Sequence, residues 1–183
     1  MCLLRAYISA IIKQAEIMTE FPAAGTTVIE KNELLSLIPH KGKMLLISRV
    51  TEYDTHARIL CSEYDVGEDC IFYDPVLRGV PGWLSFEFMA QAVSTLSGIT
   101  GKILGKPPMI GFILSVSSME IKIPLLRPGD VVKVRVTEEL RLGMNSTFRC
   151  TAFAGEAEAA QARLMLMDVE DPMEFIEKND YGK

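Results

Sequence analysis

Apolar residues recur along this chain with two periods, and the switch between them marks out its elements. From Val80 to Gly101, VPGWLSFEFMAQAVSTLSGITG, the residues Trp83, Leu84, Phe86, Phe88, Met89, Ala90, Ala92, Val93 and Leu96 fall on every side of a 3.6-residue wheel. Pro81 and Gly82 punctuate the start, Gly98 and Gly101 crowd the end, and no proline interrupts the run. The pattern predicts a helix over 82–97 that is apolar all round and therefore enclosed by the rest of the fold. It is too short, and too rich in Ser, Gln and Glu, to span a membrane.

Elsewhere the dominant period is two. Strands are predicted over residues 44–53 and 57–64 before the helix, with Asp54 and Thr55 turning the chain between them. After it come strands over 109–123, 131–140, 147–154 and 158–169, with turns at Arg127-Pro128-Gly129-Asp130 and at Gly143 and Asn145. Asn32 is expected to cap a short helix through Leu34, Leu35 and Leu37 that Pro39 closes. Residues 65–79 form a long irregular loop that delivers the chain to the helix, and loops of that length are often functional. Residues 102–108 form a second loop.

The expected organisation is an extension and linker over 1–29, one domain over 30–171 and a tail over 172–183. Short turns between the late strands require antiparallel pairing. The fold class is α+β, a long central helix wrapped by a curved antiparallel sheet. A sheet covers the helix on its inner side alone, so a second subunit is expected to cover the other side.

Composition narrows the function classes. With 183 residues, 49% apolar and 23% charged, the chain suits one globular domain. A net charge of -5, with no basic cluster carrying interleaved aromatics, argues against nucleic acid. Cys2, Cys61, Cys70 and Cys150 are scattered without CxxC spacing, as buried thiols in a reducing compartment would be, and suggest neither a disulfide framework nor a metal site. Residues 1–19 are poor as a signal peptide, because Arg5 breaks the apolar run and no small-residue cleavage site follows. They read as an amphipathic helix or as sequence upstream of a start at Met18, and the expected location is cytoplasmic.

One ionisable residue, Glu87, sits inside the apolar helix. A carboxylate there is desolvated unless hydrogen-bonded or neutralised, so it is either a structural acid or a functional one. Around it, three blocks resemble the hotdog-fold β-hydroxyacyl-[acyl-carrier-protein] dehydratases of fatty acid synthesis. They are IPHKGKMLLISRV, PGWLSFEFMAQA with Pro81, Gly82, Glu87, Ala90 and Gln91 in register, and LLRPGD from Leu125 to Asp130. The similarity runs from about Leu34 to Asp171. Closer still is the likeness to divergent dehydratase-like proteins found beside aryl-polyene and polyketide gene clusters.

The resemblance implies a hotdog fold, with Glu87 as the catalytic acid beside a histidine shortly before the Pro-Gly of the helix start. That histidine position falls on Tyr73 here, and residues 65–79 contain no histidine. Tyrosine, with an unperturbed pKa of about 10, is a poor base for an α-proton, though it can bind substrate or donate a proton. Of the two histidines, His56 lies in a turn expected to be exposed. His40 either caps its loop or lines the substrate pocket, and in the pocket it is the imidazole available as base. Backbone amides of Gly82 and Trp83 at the helix start are candidates to polarise a thioester carbonyl. Gln91 is expected to bond backbone. Asp74 is a loop carboxylate or a substitute base, and Arg78 and Lys43 are solvated cations or partners of a phosphate.

The expected function is dehydration of β-hydroxyacyl thioesters to trans-2-enoyl products, with His40 as base, Glu87 as acid, and Tyr73, Gly82 and Trp83 as substrate contacts. No metal or diffusible cofactor is implied; the substrate rides on the phosphopantetheine of an acyl carrier protein. The partners implied are that carrier and a second hotdog chain, in a homodimer or in a heterodimer with a paralogous dehydratase. Two alternatives are a non-catalytic subunit pairing with an active dehydratase, and an acyl thioesterase.

Overall fold

The computed structural model describes residues 28–106 and 110–169. The expectations for residues 1–27, for the start of the 109–123 strand and for the tail lie outside them. The elements in chain order are β1 (Ile29–Glu30), α1 (Lys31–Leu34), β2 (Arg49–Asp54), β3 (Ile59–Asp65), β4 (Val80–Pro81), α2 (Ser85–Ile103), β5 (Ile110–Ile121), β6 (Leu125–Leu126), β7 (Val131–Leu142), β8 (Asn145–Ala154) and β9 (Ala157–Val169). Seven strands form one antiparallel sheet in the order β1-β2-β3-β7-β8-β9-β5, and β4 pairs with β6 separately.

The sheet curves around α2 as its alternation dictates. Val132, Val134 and Val136 on β7 are buried against the helix, as are Phe148 and Cys150 on β8 and Leu164 on β9. The Tyr64 ring meets Phe88 of the helix at 4.4 Å between centroids. Full burial of a side chain such as Phe88 contributes roughly 1.5–3 kcal/mol.

Part of the helix's other side is covered by its own chain. Leu34, Leu37, Ile38, Leu45, Leu46 and Ile47 pack into the same core. Gly98 allows the approach, since a Cβ there would fall 2.0 Å from the Leu37 carbonyl oxygen. Gly82 does the same at the helix start, where a Cβ would fall 1.9 Å from the Ile123 oxygen.

Two predicted boundaries fail for identifiable reasons. Residue 44 does not begin a strand; a 3-10 turn over Gly42–Met44 comes first, and pairing starts at Arg49. Between them the Gln91 side chain bonds the Leu46 N–H and the Met44 carbonyl, taking groups a sheet ladder would use. Asn32 does not cap α1, which begins after Glu30 with no side-chain cap. Lys41 instead satisfies that turn from behind, donating to the carbonyls of Leu35 and Ile38.

β5 is an edge strand with β9 as its neighbour. Ile113, Leu114, Val116, Met119 and Ile121 along it are all exposed. An uncovered apolar edge of this length invites another strand.

Candidate active site

The helix is not enclosed all round. Its half-exposed positions Glu87, Ala90, Ser94, Ser97 and Gly101 recur at the 3–4 spacing of a single helical line. Small side chains after Glu87 turn this line into a groove. Across it stand Gly111 and Ile113 of β5, Ser146 of β8 and Leu166 of β9, and the space between is a cavity of about 240 Å³.

His40 closes one end of the cavity. The Lys41 bonds to Leu35 and Ile38 pin the loop that carries it. Its Nε2 lies 3.5 Å from Glu87 Oε1, and each side chain keeps 27% of its surface exposed. His40 Nδ1 is buried without a hydrogen-bond partner. Glu87 is thus less buried than the pattern suggested, since the open stripe of α2 begins at it.

Gln91 sets the position of the carboxylate. Its Nε2 donates to Glu87 Oε1 at 2.9 Å and to the Met44 carbonyl at 2.8 Å, while its Oε1 accepts from Leu46 N–H at 2.9 Å. The side chain is fully buried and all three bonds fix its orientation. The sequence pointed to the backbone bonds; the bond to Glu87 was legible only as an i, i+4 pair.

The other candidates stand apart from this pair. Tyr73 is half-buried in the 65–79 loop, with its hydroxyl 3.5 Å from Glu68 Oε1, and does not line the cavity. Gly82 donates its N–H to Pro124 O at 2.8 Å, which removes that amide from the thioester-binding role expected of it. Trp83 is 55% exposed and stands edge-on to Phe72. Asp74 accepts from the N–H groups of Val76 and Leu77, so it caps its own loop. His56 is exposed in the β2–β3 turn, where Asp54 accepts from its N–H. Lys43 borders a separate small cavity beside Gly42.

A charged network that sequence reasoning missed lies at the far end of the groove. Arg58 binds Glu138 through Nε at 2.9 Å and through Nη2 at 2.8 Å, and Thr100 Oγ1 through Nη1 at 2.6 Å. Arg141 binds both oxygens of Glu138 and, through Nη1, Asp168 Oδ2 at 2.8 Å. Burial raises the Glu138 pKa, but the two guanidinium groups outweigh it and hold the carboxyl below its ordinary range. Apart from Glu138 and Arg141, three positions apart on β7, these residues are far apart in sequence and share no periodicity.

Among the described residues Cys61, Cys70 and Cys150 are free, and burial pushes the Cys61 thiol up to about 12 and raises Cys150 as well. Among the described residues, no helix is long and apolar enough to cross a membrane, and no cluster of His, Cys, Asp or Glu is placed to hold a metal ion.

Residues 32–177 match the family model described as ApeP dehydratase. The chain belongs to the ApeP-like dehydratase family. It is 30% identical over 154 residues to the 3-hydroxyacyl-[acyl-carrier-protein] dehydratase FabZ of Lactobacillus helveticus, covering 82% of this chain and 99% of that one. Against the FabZ of Histophilus somni strain 2336 it is 33% identical over 145 residues, covering 75% and 91%. Among solved structures, the Dehydratase Heterocomplex ApeI:P from Xenorhabdus doucetiae superposes with a TM-score of 0.71 at 20% identity. That match covers 79% of this chain and 95% of the other. The hotdog fold expected from the sequence is the fold observed.

Proposed function

We propose that this chain dehydrates β-hydroxyacyl thioesters carried on acyl carrier protein, giving trans-2-enoyl products. The observation that carries the reading is the His40–Glu87 pair, 3.5 Å apart at the end of a cavity running beside the helix. In the reaction His40 Nε2 takes the proton from C2, and the Glu87 carboxyl donates its proton to the 3-hydroxyl. The C3–O bond breaks, water leaves, and the electron pair closes the C2=C3 double bond. The pair ends with the proton on His40, one transfer from its starting state. The thioester itself acidifies C2, so the step needs no metal or diffusible cofactor, and the substrate arm is the carrier's phosphopantetheine. The free, high-pKa thiols fit a cytoplasmic enzyme.

A second hotdog chain is proposed to cover the β5 edge. The exposed Ile113, Val116 and Met119 support this, and the heterocomplex among the related structures supports a paralogous partner. A non-catalytic role beside such a partner has one observation in its favour: Tyr73, at the family's histidine position, does not line the cavity where Glu87 stands in its own chain.

The deciding experiment offers a 3-hydroxyacyl carrier substrate to the purified chain, alone and with a histidine-bearing paralogue. Enoyl product from the chain alone, lost in His40→Ala, supports the catalytic reading. Product from the mixture alone, unchanged by His40→Ala, assigns the chemistry to the partner. In sedimentation the wild-type chain is expected as a dimer or larger, and Val116→Lys on β5 is expected to shift it toward monomer.

A further inference from the structure

The outer face of the sheet is unevenly covered. Alternation sends Leu60 and Tyr64 of β3 and Val132, Val134 and Val136 of β7 toward the helix, so Cys61, Glu63 and Arg135 point away from it. Arg163 of β9 also points away, between the inward Ala162 and Leu164, and its side chain is 52% exposed. Cys61 and Arg135, direct partners across β3 and β7, are exposed by only 0% and 7%. Thr51 and Glu63 beside them are buried too. Glu52 Oε2 reaches both, 3.6 Å from Cys61 Sγ and 3.9 Å from Arg135 Nη1, but its own side chain is half open and makes no roof. An outward thiol and guanidinium are buried to this degree only where more chain lies over them.

Two long segments outside the described residues are available as that cover, 1–27 and 170–183. The strand order separates them. Val28 donates its N–H to Val50 O at 2.8 Å and β1 pairs with β2, so the chain upstream of Val28 arrives beside β2, next to β3. The downstream chain leaves from Val169 of β9, paired with β5 at the far side of the sheet, where Arg163 and Met165 are exposed.

The upstream sequence has the pattern of a helix that lies on a surface. Leu4, Tyr7, Ile8, Ile11, Ala15 and Met18 follow one line at 3–4 spacing, while Arg5, Ser9, Lys13 and Glu16 gather opposite. A helix over residues 1–18 spans about 27 Å at ~1.5 Å per residue, and crossing from β2 to β8 takes about 14 Å at ~4.8 Å per strand. Pro22 and Gly25 suit a bend between that helix and Val28. The polar line sets Arg5 and Lys13 against Glu16 and Glu20, which gives it no net pull toward an anionic lipid surface. The family match begins at residue 32, so the segment lies outside the shared fold.

We propose that residues 1–18 dock as an amphipathic helix on the outer face of the sheet, its apolar line over Cys61 and Arg135. The extension is then a built part of the domain, and the groove on the inner face stays unobstructed. This goes beyond the dehydratase reading and does not depend on it.

The test is iodoacetamide labelling of the native full chain, read by mass spectrometry at each cysteine. Cys70 is partly open and Cys150 lies in the inner core, so the two bracket the response of Cys61. In the wild type Cys61 is expected to label as slowly as Cys150. Ile8→Asp combined with Ile11→Asp, which puts charge on the apolar line, is expected to speed Cys61 labelling by roughly tenfold or more while Cys150 stays slow. Ser9→Asp, on the polar line, is expected to change neither. If the double variant also speeds Cys150, it has unfolded, and the milder Ile11→Ala is read by the ratio of Cys61 to Cys150 labelling; no rise in that ratio overturns the proposal. Fast Cys61 labelling in the wild type overturns it, as does protection untouched by the double variant. Protection lost on dilution of the wild type puts another copy over the face and overturns it as well.

Discussion

Two polar networks lie along α2, and they are built on opposite terms. At its start, Gln91 and Glu87 meet His40, whose Nδ1 has no hydrogen-bond partner, and both members of the acid–base pair stay partly open to solvent. Toward its end, Arg58, Arg141, Glu138 and Asp168 are matched charge for charge, with Glu138 Oε2 bound by both arginines. A saturated network has little to offer a reacting molecule, because every proton already has a resting place. A network with one open nitrogen and one reachable carboxyl can change its protonation during a reaction. The contrast suits the first to the proposed chemistry and the second to architecture.

The strongest way to break this contrast is at Glu87 and His40. Glu87→Gln keeps the shape and the bond to Gln91 but removes the transferable proton. Turnover is expected to fall by roughly 10²-fold or more, with the melting temperature nearly unchanged, as measured by enoyl formation and calorimetry. His40→Ala is expected to do the same, and Tyr73→Phe, remote from the pair, to cost much less. A shift in melting temperature with unaltered activity per folded molecule would move Glu87 into the architectural class.

Gln91→Ala tests the support beneath the pair. It leaves the Leu46 N–H and the Met44 carbonyl without their partner, a loss of about 1–3 kcal/mol in urea unfolding. It also releases Glu87, so turnover is expected to fall roughly 10- to 100-fold. Loss of stability alone would make Gln91 only a clip between helix and loop.

Glu138→Gln sharpens the other side. The arginines lower the Glu138 pKa below its ordinary 4.5, so its contribution is fully present above that value and disappears as pH falls through the depressed one. At neutral pH the variant is expected to be less stable by about 1–3 kcal/mol. The gap from wild type should close in denaturation curves as pH falls through the depressed pKa. Short-chain turnover is expected to change least of all here.

The alternation of Val132, Val134 and Val136, and the all-round apolarity of the helix, were enough to place sheet and helix. Their signal is local and repeats. Glu87 stood out for the same reason, as a break in a pattern. The Met44 to Ser48 segment was misread because its backbone partner is a side chain 45 positions later, which no period reports. Likewise Arg58, Glu138, Arg141 and Asp168 are linked only after β3, β7, β8 and β9 have assembled in that order. Gly82 was judged by its place at a helix start, while its amide is committed to Pro124 by tertiary contact.

The position of β5 in the sheet bears on how the chain is made. Its neighbour in the ladder is β9, which leaves the ribosome after β6, β7 and β8, although β5 itself emerges before all three. For most of synthesis its Ile113, Leu114, Val116 and Met119 therefore have no strand beside them, and even after β9 docks the outer edge stays bare. Pairing over that sequence separation is slow, and a waiting apolar strand is an aggregation hazard. On the proposed assembly, production of the chain as soluble protein depends on the supply of the strand that closes that edge, which ties its abundance in the cell to that of its mate.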